Sequence, residues 1–200
     1  MDKMRVAIFA SGSGTNLQAI IDAQIKTIEI ALVFSNKSDA YAIERAKTHN
    51  LPVEVIDHKS FESREDFDSE IVRLLEPYNL DLIILAGYMR ILSPELVRAY
   101  KGKIINIHPA LLPSFPGINS ARQALEYGVK YTGVTVHFVD EGVDTGPIIL
   151  QSIVEIEDRD TEESLLQKIH KVEHQIYPEA IELVSSGQIE LNGRRVIKRS

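Results

Sequence analysis

Five short apolar runs alternate with four segments of helical spacing over the first half of the chain. The runs are Arg5–Ala10, Glu29–Phe34, Pro52–Ile56, Asp81–Ala86 and Lys103–Ile107. The helical segments are Asn16–Ala23, Ala40–His49, Ser63–Leu75 and Pro94–Tyr100. Parallel strands cannot be joined by a tight turn and need a crossover, usually a helix. The alternation therefore predicts an α/β chain with a mostly parallel central sheet and helices on both faces. Ligands of such sheets collect outside the carboxyl ends of the strands. Three segments that directly follow strands, residues 11–16, residues 87–90 and His108, are expected along that rim.

The pattern then changes. Gly133–Val139 and Ile148–Val154 read as strands joined by the loop Asp140–Pro147. The spacing predicts a long helix next, with Asp160 and Glu163 as a capping box and Gly187 as its stop. Pro178 is expected to kink or interrupt it, because proline has no backbone N–H to donate. Ile189–Arg199, with Asn192-Gly193 at its centre, has the pattern of a small hairpin. Nothing marks a linker, so 1–200 is expected to be a single domain. Hydrophobic content of 44% and charged content of 26% suit an ordinary globular protein. A net charge of −7 argues against a nucleic-acid partner. Cysteine is absent, which excludes disulfides and thiolate chemistry. No apolar run approaches the ~20 residues of a membrane span, and Arg5–Phe9 begins a strand without a signal-peptide pattern. A cytoplasmic location with no membrane partner is the expectation.

Chemistry concentrates at Ile104-Ile105-Asn106-Ile107-His108-Pro109. Side chains alternate along a strand, so Asn106 and His108 share a face, and Pro109 ends the ladder just after them. Asn106 can donate to a developing oxyanion, and His108 can move protons near neutral pH. A carboxylate returning from Asp140–Pro147 would complete an acid/base site, although composition alone does not choose among Asp140, Glu141 and Asp144. The small residues Ser11–Asn16 enter a helix and can present N–H groups to an anion. Leu17 stands where a dinucleotide fingerprint has its third glycine, and Phe34-Ser35-Asn36 has no acid for a ribose. A simple phosphate is favoured over a nicotinamide cofactor. Glu173 falls inside the apolar stripe of Leu165, Leu166, Ile169, Val172 and Ile176, a costly place for a carboxylate without a ligand or a cationic partner. Arg64 and Arg90 can bind anions or simply be solvated charges, and Lys168 and His170 are equally open. His137, on the Thr135/Val139 face, reads as a core residue or a support to the site.

Asn106-x-His108-Pro109-x-Leu111-Leu112-Pro113, Pro116-Gly117 and Asp144-x-Gly146-Pro147 together resemble the 10-formyltetrahydrofolate-dependent formyltransferases. Four further segments are similar to the branch that acts in purine biosynthesis, the phosphoribosylglycinamide formyltransferases. They are Ala10-Ser11-Gly12-x-Gly14-Thr15-Asn16-Leu17-Gln18, Phe34-Ser35-Asn36, Leu85–Leu92 and His174-x-Ile176-Tyr177-Pro178. The resemblance runs through nearly the whole chain and implies a Rossmann-like formyltransferase fold. It implies transfer of the formyl group of 10-formyltetrahydrofolate to the amine of glycinamide ribonucleotide, with no metal and no nicotinamide.

By motif match, it implies Asn106, His108 and Asp144 as the catalytic group. The substrate phosphate falls to Gly14, Thr15 and Asn16, and the ribose and glycinamide to Lys168, His170 and Glu173. The folate falls to Arg64, Met89, Arg90, Ile91, Leu92 and Asn106 and to Asp140, Glu141, Gly142, Val143 and Asp144. The partners are then small molecules, with the protein a monomer or a homodimer. The chain departs from the family at Ser114-Phe115, where a basic residue and an aromatic are common, and at Asn119, often a histidine. Another acceptor or water in place of the ribonucleotide, or a non-catalytic phosphate-ligand sensor, are the alternatives.

Overall fold

The computed structural model describes residues 3–199. It divides into two compact units, Met1–Ile105 and Asn106–Ser200.

In the first unit β1 (Met4–Phe9) pairs in parallel with β2 (Ile28–Ser35) and β4 (Leu82–Leu85), and β2 with β3 (Val53–Val55). The crossovers carry α1 (Thr15–Asp22), α2 (Tyr41–Thr48) and α3 (Arg64–Leu75), and α4 (Pro94–Ala99) follows β4. Local chemistry sets the helix starts. Ser63 accepts a hydrogen bond from the Asp66 N–H, and Ser93 caps α4 ahead of Pro94. Val6 to Ala10 are wholly buried, as expected for a strand covered on both faces.

β5 (Ile104–His108) carries the chain from one unit to the next. The second unit holds α5 (Ser120–Tyr127), the antiparallel pair β6 (Tyr131–Phe138) and β7 (Ile148–Glu155), and α6 (Glu162–Ser185), which packs on β6 and β7. β8 (Ile189–Asn192) and β9 (Arg195–Lys198) form a separate hairpin. The strands run in the order β3-β2-β1-β4-β5-β6-β7, a mostly parallel seven-stranded sheet with helices on both sides, as the alternation predicted.

One local expectation is corrected, one is narrowed, and one helix had no counterpart in the sequence pattern. The capping box of α6 is Thr161 with Ser164, each side chain accepting from the other's N–H, rather than Asp160 with Glu163. Asp160 instead accepts from Ser164 Oγ, Glu157 N and Lys168 Nζ. Pro178 does not interrupt the helix, which runs on to Ser185 with the proline inside it. Burial of Ile176, Tyr177, Ala180 and Ile181 on both sides of the proline outweighs the one lost backbone bond. Finally, α5 was not foreseen. Its start at Asn119 in the left-handed region carries no side-chain capping bond that a sequence pattern would reveal.

Candidate active site

The Asn106, His108 and Asp144 side chains converge within the second unit. β5 ends at His108, which is 4% exposed. Its Nδ1 lies 3.3 Å from Asp144 Oδ2. Its Nε2 lies 2.8 Å from the Phe115 carbonyl. A carbonyl only accepts, so Nε2 carries a proton. With a second proton on Nδ1, the ring meets acceptors on both sides.

Asp144 is held from several directions. The Gly117 N–H donates to Oδ2 at 2.7 Å, and His137 Nε2 stands 3.7 Å from Oδ1. Burial pushes the Asp144 carboxyl up. A hydrogen bond from His137, the Gly117 N–H and the nearby His108 and His137 charges more than offset it, and the group lies below the usual aspartate range. Asp144 itself has φ of 53°, in the left-handed region.

His137, expected from the sequence as a core residue or a support to the site, is buried against both Asn106 and Asp144. Its Nδ1 lies 2.8 Å from the Phe138 carbonyl and its Nε2 3.3 Å from Asn106 Nδ2. With Nδ1–H donating to that carbonyl, Nε2 stands between the Asn106 amide and the Asp144 carboxylate, accepting from the amide when the ring is neutral and donating to the carboxylate when it carries a second proton. The available signal was its place on the Thr135 face of β6, whose register in the sheet the sequence does not reveal.

Thr135 supports the same site from beneath. Its wholly buried hydroxyl donates to the Ala110 carbonyl at 2.7 Å. It accepts from Leu112 N at 3.0 Å and from Gln151 Nε2 at 2.9 Å. Gln151 Nε2 also reaches the Leu112 carbonyl at 2.9 Å. The segment leading from His108 to Phe115 is thus stitched to β6 and β7.

The other candidates in the second unit separate. His170 Nδ1 lies 2.9 Å from the Oε2 of buried Glu173. That hydrogen bond raises the pKa of His170, against an opposing effect of burial. Lys168 turns to different partners, 2.7 Å from Asp160 and 3.3 Å from Glu157. It is committed to the start of α6, and its hydrogen bond pushes the Asp160 carboxyl down to about 2. The loop of Asp140, Glu141, Gly142 and Val143 is largely exposed, and Asp140 Oδ1 accepts from Gly142 N and Thr145 Oγ1.

In the first unit, the turn after β1 and the segment after β4 are adjacent. Ser11 N donates to the Gly87 carbonyl at 3.1 Å, and Met89 N donates to Ser11 Oγ at 2.9 Å. Gly14 has φ of 70°, and a Cβ there would stand 2.8 Å from Ala42 Cα, so only glycine fits the turn into Thr15 and Asn16. Met89 and Ile91 are exposed apolar side chains, Leu92 is half-buried, and the Arg90 guanidinium sits 5.0 Å over the Phe67 ring. Arg64 pairs with its neighbour Glu65 at 2.8 Å. Among the described residues no group of three or more histidine, aspartate or glutamate side chains could hold a metal ion. No described helix is long and apolar enough to cross a membrane.

Residues 4–181 match the family model described as formyl transferase. The chain is 47% identical to the phosphoribosylglycinamide formyltransferase of Bacillus subtilis, over 88% of this chain and 92% of that protein. It is 49% identical to the trifunctional purine biosynthetic protein adenosine-3 of Chironomus tentans, over 96% of this chain but only 14% of that longer protein. Its fold superposes on the crystal structure of glycinamide ribonucleotide transformylase 1 from Symbiobacterium toebii with a TM-score of 0.95, at 45% identity, covering 99% of this chain and 95% of the other. By the extent of the family match and by its likeness to a relative of nearly equal length, the chain belongs to the formyl transferase family, on its phosphoribosylglycinamide formyltransferase branch.

Proposed function

We propose that this protein transfers the formyl group of 10-formyltetrahydrofolate to the amine of glycinamide ribonucleotide, giving N-formylglycinamide ribonucleotide and tetrahydrofolate. The observation that carries the reading is the cluster itself at the end of β5, the His108 imidazole against the Asp144 carboxylate, linked through His137 to the Asn106 amide. Family membership supplies the donor, a formylated folate acting as co-substrate.

The amine lone pair attacks the formyl carbon, and the carbonyl π electrons move onto oxygen. Asn106 Nδ2–H donates to that oxygen, and the positive charge of His108 stabilises it. Collapse of the tetrahedral intermediate re-forms the carbonyl and breaks the bond to the folate nitrogen. That nitrogen leaves with a proton derived from the attacking amine. The depressed pKa of Asp144 makes it a poor store for this proton. It acts as the counter-ion of His108 and orients a water that relays the proton. Holding the two substrates together contributes as much as the acid/base groups, up to ~7–11 kcal/mol relative to free reactants. Transfer is direct, in a ternary complex.

The remaining assignments belong to the same proposal. Gly14, Thr15 and Asn16 take the phosphate, supported by a turn that only glycine can make. His170 and Glu173 take the ribose and glycinamide. Lys168 contributes indirectly, since its charge is spent on Asp160 and Glu157. Met89 to Leu92, the 140–144 loop, Asn106 and Arg64 take the folate. The chain works as one formyltransferase domain, monomeric or homodimeric, in the cytoplasm.

The test is donor-dependent formylation by the purified chain. Tetrahydrofolate release matched one for one by formylated ribonucleotide is expected. Donor cleavage without acceptor would make it a hydrolase, and saturable binding of both ligands without turnover would make it a sensor. A formylated enzyme isolated without acceptor would contradict direct transfer.

A further inference from the structure

The hairpin of β8 and β9 lies beyond the segment that the family model matches. β9 packs against β7 and β8 against α6, so the hairpin is docked rather than free. From its turn, Arg194 Nη2 donates to the Thr145 carbonyl at 2.8 Å. Thr145 directly follows Asp144.

The loop it touches has reason to need support. Asp144 sits at φ of 53°, where a side-chain-bearing residue costs about 1–2 kcal/mol. Such a conformation persists only when its surroundings over-determine it. The Asp140 carboxylate accepts from the Thr145 hydroxyl at 2.6 Å and restrains the loop from within. Gly146 lies so close to the Phe138 carbonyl that a Cβ would fall 1.7 Å from its oxygen. Thr145 is therefore gripped at its hydroxyl by Asp140 and at its carbonyl by Arg194, and Arg194 is the grip that comes from a distant part of the chain.

We propose that Arg194 is a positioning residue for formyl transfer, a strut that holds the Asp144 carboxylate in register with His108. The inference rests on the formyl-transfer reading above. Arg194 touches no reacting atom and acts only through the backbone of Thr145.

Steady-state kinetics and hydrogen exchange on the full chain test it. Arg194→Ala is expected to lower kcat about tenfold while the KM for the ribonucleotide changes by less than about twofold. Arg194→Lys, which keeps a cationic donor, should recover most of the loss. Arg195→Ala removes the same charge from the next position and should leave kcat unchanged. Amides of residues 140–146 should exchange faster in Arg194→Ala and at the wild-type rate in Arg195→Ala. Wild-type exchange in Arg194→Ala would overturn the strut whatever the activity. Wild-type kcat in Arg194→Ala, or an equal loss in Arg195→Ala, would overturn its role in the reaction. An inactive wild-type chain would instead sink the formyl-transfer reading itself.

Discussion

Replacing Thr135 by valine removes one hydroxyl and keeps the shape of the side chain. The hydroxyl is the partner of the Ala110 carbonyl and the Leu112 N–H, and it accepts from Gln151. Thr135 and Ala110 are wholly buried and Leu112 nearly so. Two backbone groups are therefore left without their partner, while Gln151 keeps the Leu112 carbonyl. An orphaned buried polar group costs about 1–3 kcal/mol, and the added methyl returns about 0.8 kcal/mol. The net loss is about 1–5 kcal/mol, a large share of the ~5–15 kcal/mol that holds a domain together. Urea denaturation followed by circular dichroism should show the midpoint falling by about 1–2 M. Thr135→Ser keeps the hydroxyl and should lose only about 1 kcal/mol. The segment that loosens ends at Phe115, whose carbonyl holds His108, so kcat should fall in the valine variant even well below its unfolding temperature. A valine variant within about 1 kcal/mol of wild type, or a serine variant as unstable as the valine one, would refute the reasoning.

Asn106→Ala should cut turnover by about 10²–10³, the usual cost of one oxyanion donor, and wild-type turnover in a stopped assay would remove Asn106 from the mechanism. In histidine NMR titrations, His170 should titrate above the ordinary range because it bonds Glu173, and His174 below it because it is buried. The His170–Glu173 bond contributes stability that is full below the unfolded histidine value and is lost as pH rises through the raised one. For His174 the sign reverses, and stability falls as pH drops below its unfolded value. Glu173→Gln should lower both titrations, and an unmoved His170 would contradict the pairing. Asn119→His should change kcat by no more than about twofold, since Asp144 is already engaged by Gly117, His108 and His137. A tenfold gain would show that the asparagine had cost the site a working group.

The parallel half of the fold was legible because each strand there is a short apolar run and each crossover has helical spacing, both local signals. The cluster was half legible. Asn106 and His108 are two apart on one strand, so their common face follows from the pleat alone. Asp144 is 36 positions beyond His108, and its nomination came from family resemblance, since composition did not separate it from Asp140 and Glu141. The sequence leaves His137 between core and support and gives no sign of Thr135, because their roles depend on where β6 lies and on backbone groups, which no side-chain motif records. Arg194 was hidden for the same reason, as its partner is a carbonyl. Glu173 shows the opposite case. A carboxylate inside an apolar stripe announced that it needed a partner, and His170, one turn earlier, supplies one.

The geometry of His108 and Asp144 has a common origin in the short segment between β5 and α5. One carbonyl of that segment, at Phe115, takes the His108 Nε2–H, and one N–H, at Gly117, binds the Asp144 carboxylate. Both His108 and Asp144 are thus indexed to backbone atoms two residues apart, and their separation is set by the path of that backbone. The path is an expensive one. Phe115, Gly117 and Asn119 all have positive φ, as does Asp144 opposite them. The other non-glycine residues with positive φ, Gln24, Asn50 and Asn79, follow helical turns, where a left-handed residue ends the element. Phe115 is different in kind, because an aromatic residue gains nothing locally from that conformation. Its ring packs edge-on against Tyr127 of α5 at 6.0 Å, a contact worth about 0.5–1.5 kcal/mol that offsets a cost of about 1–2 kcal/mol. The residues that make the segment costly are the ones that aim the carbonyl and the N–H at the pair. Relaxing Phe115 to glycine would ease the backbone but release the ring from α5, and His108 would lose the fixed acceptor that keeps its other nitrogen facing Asp144.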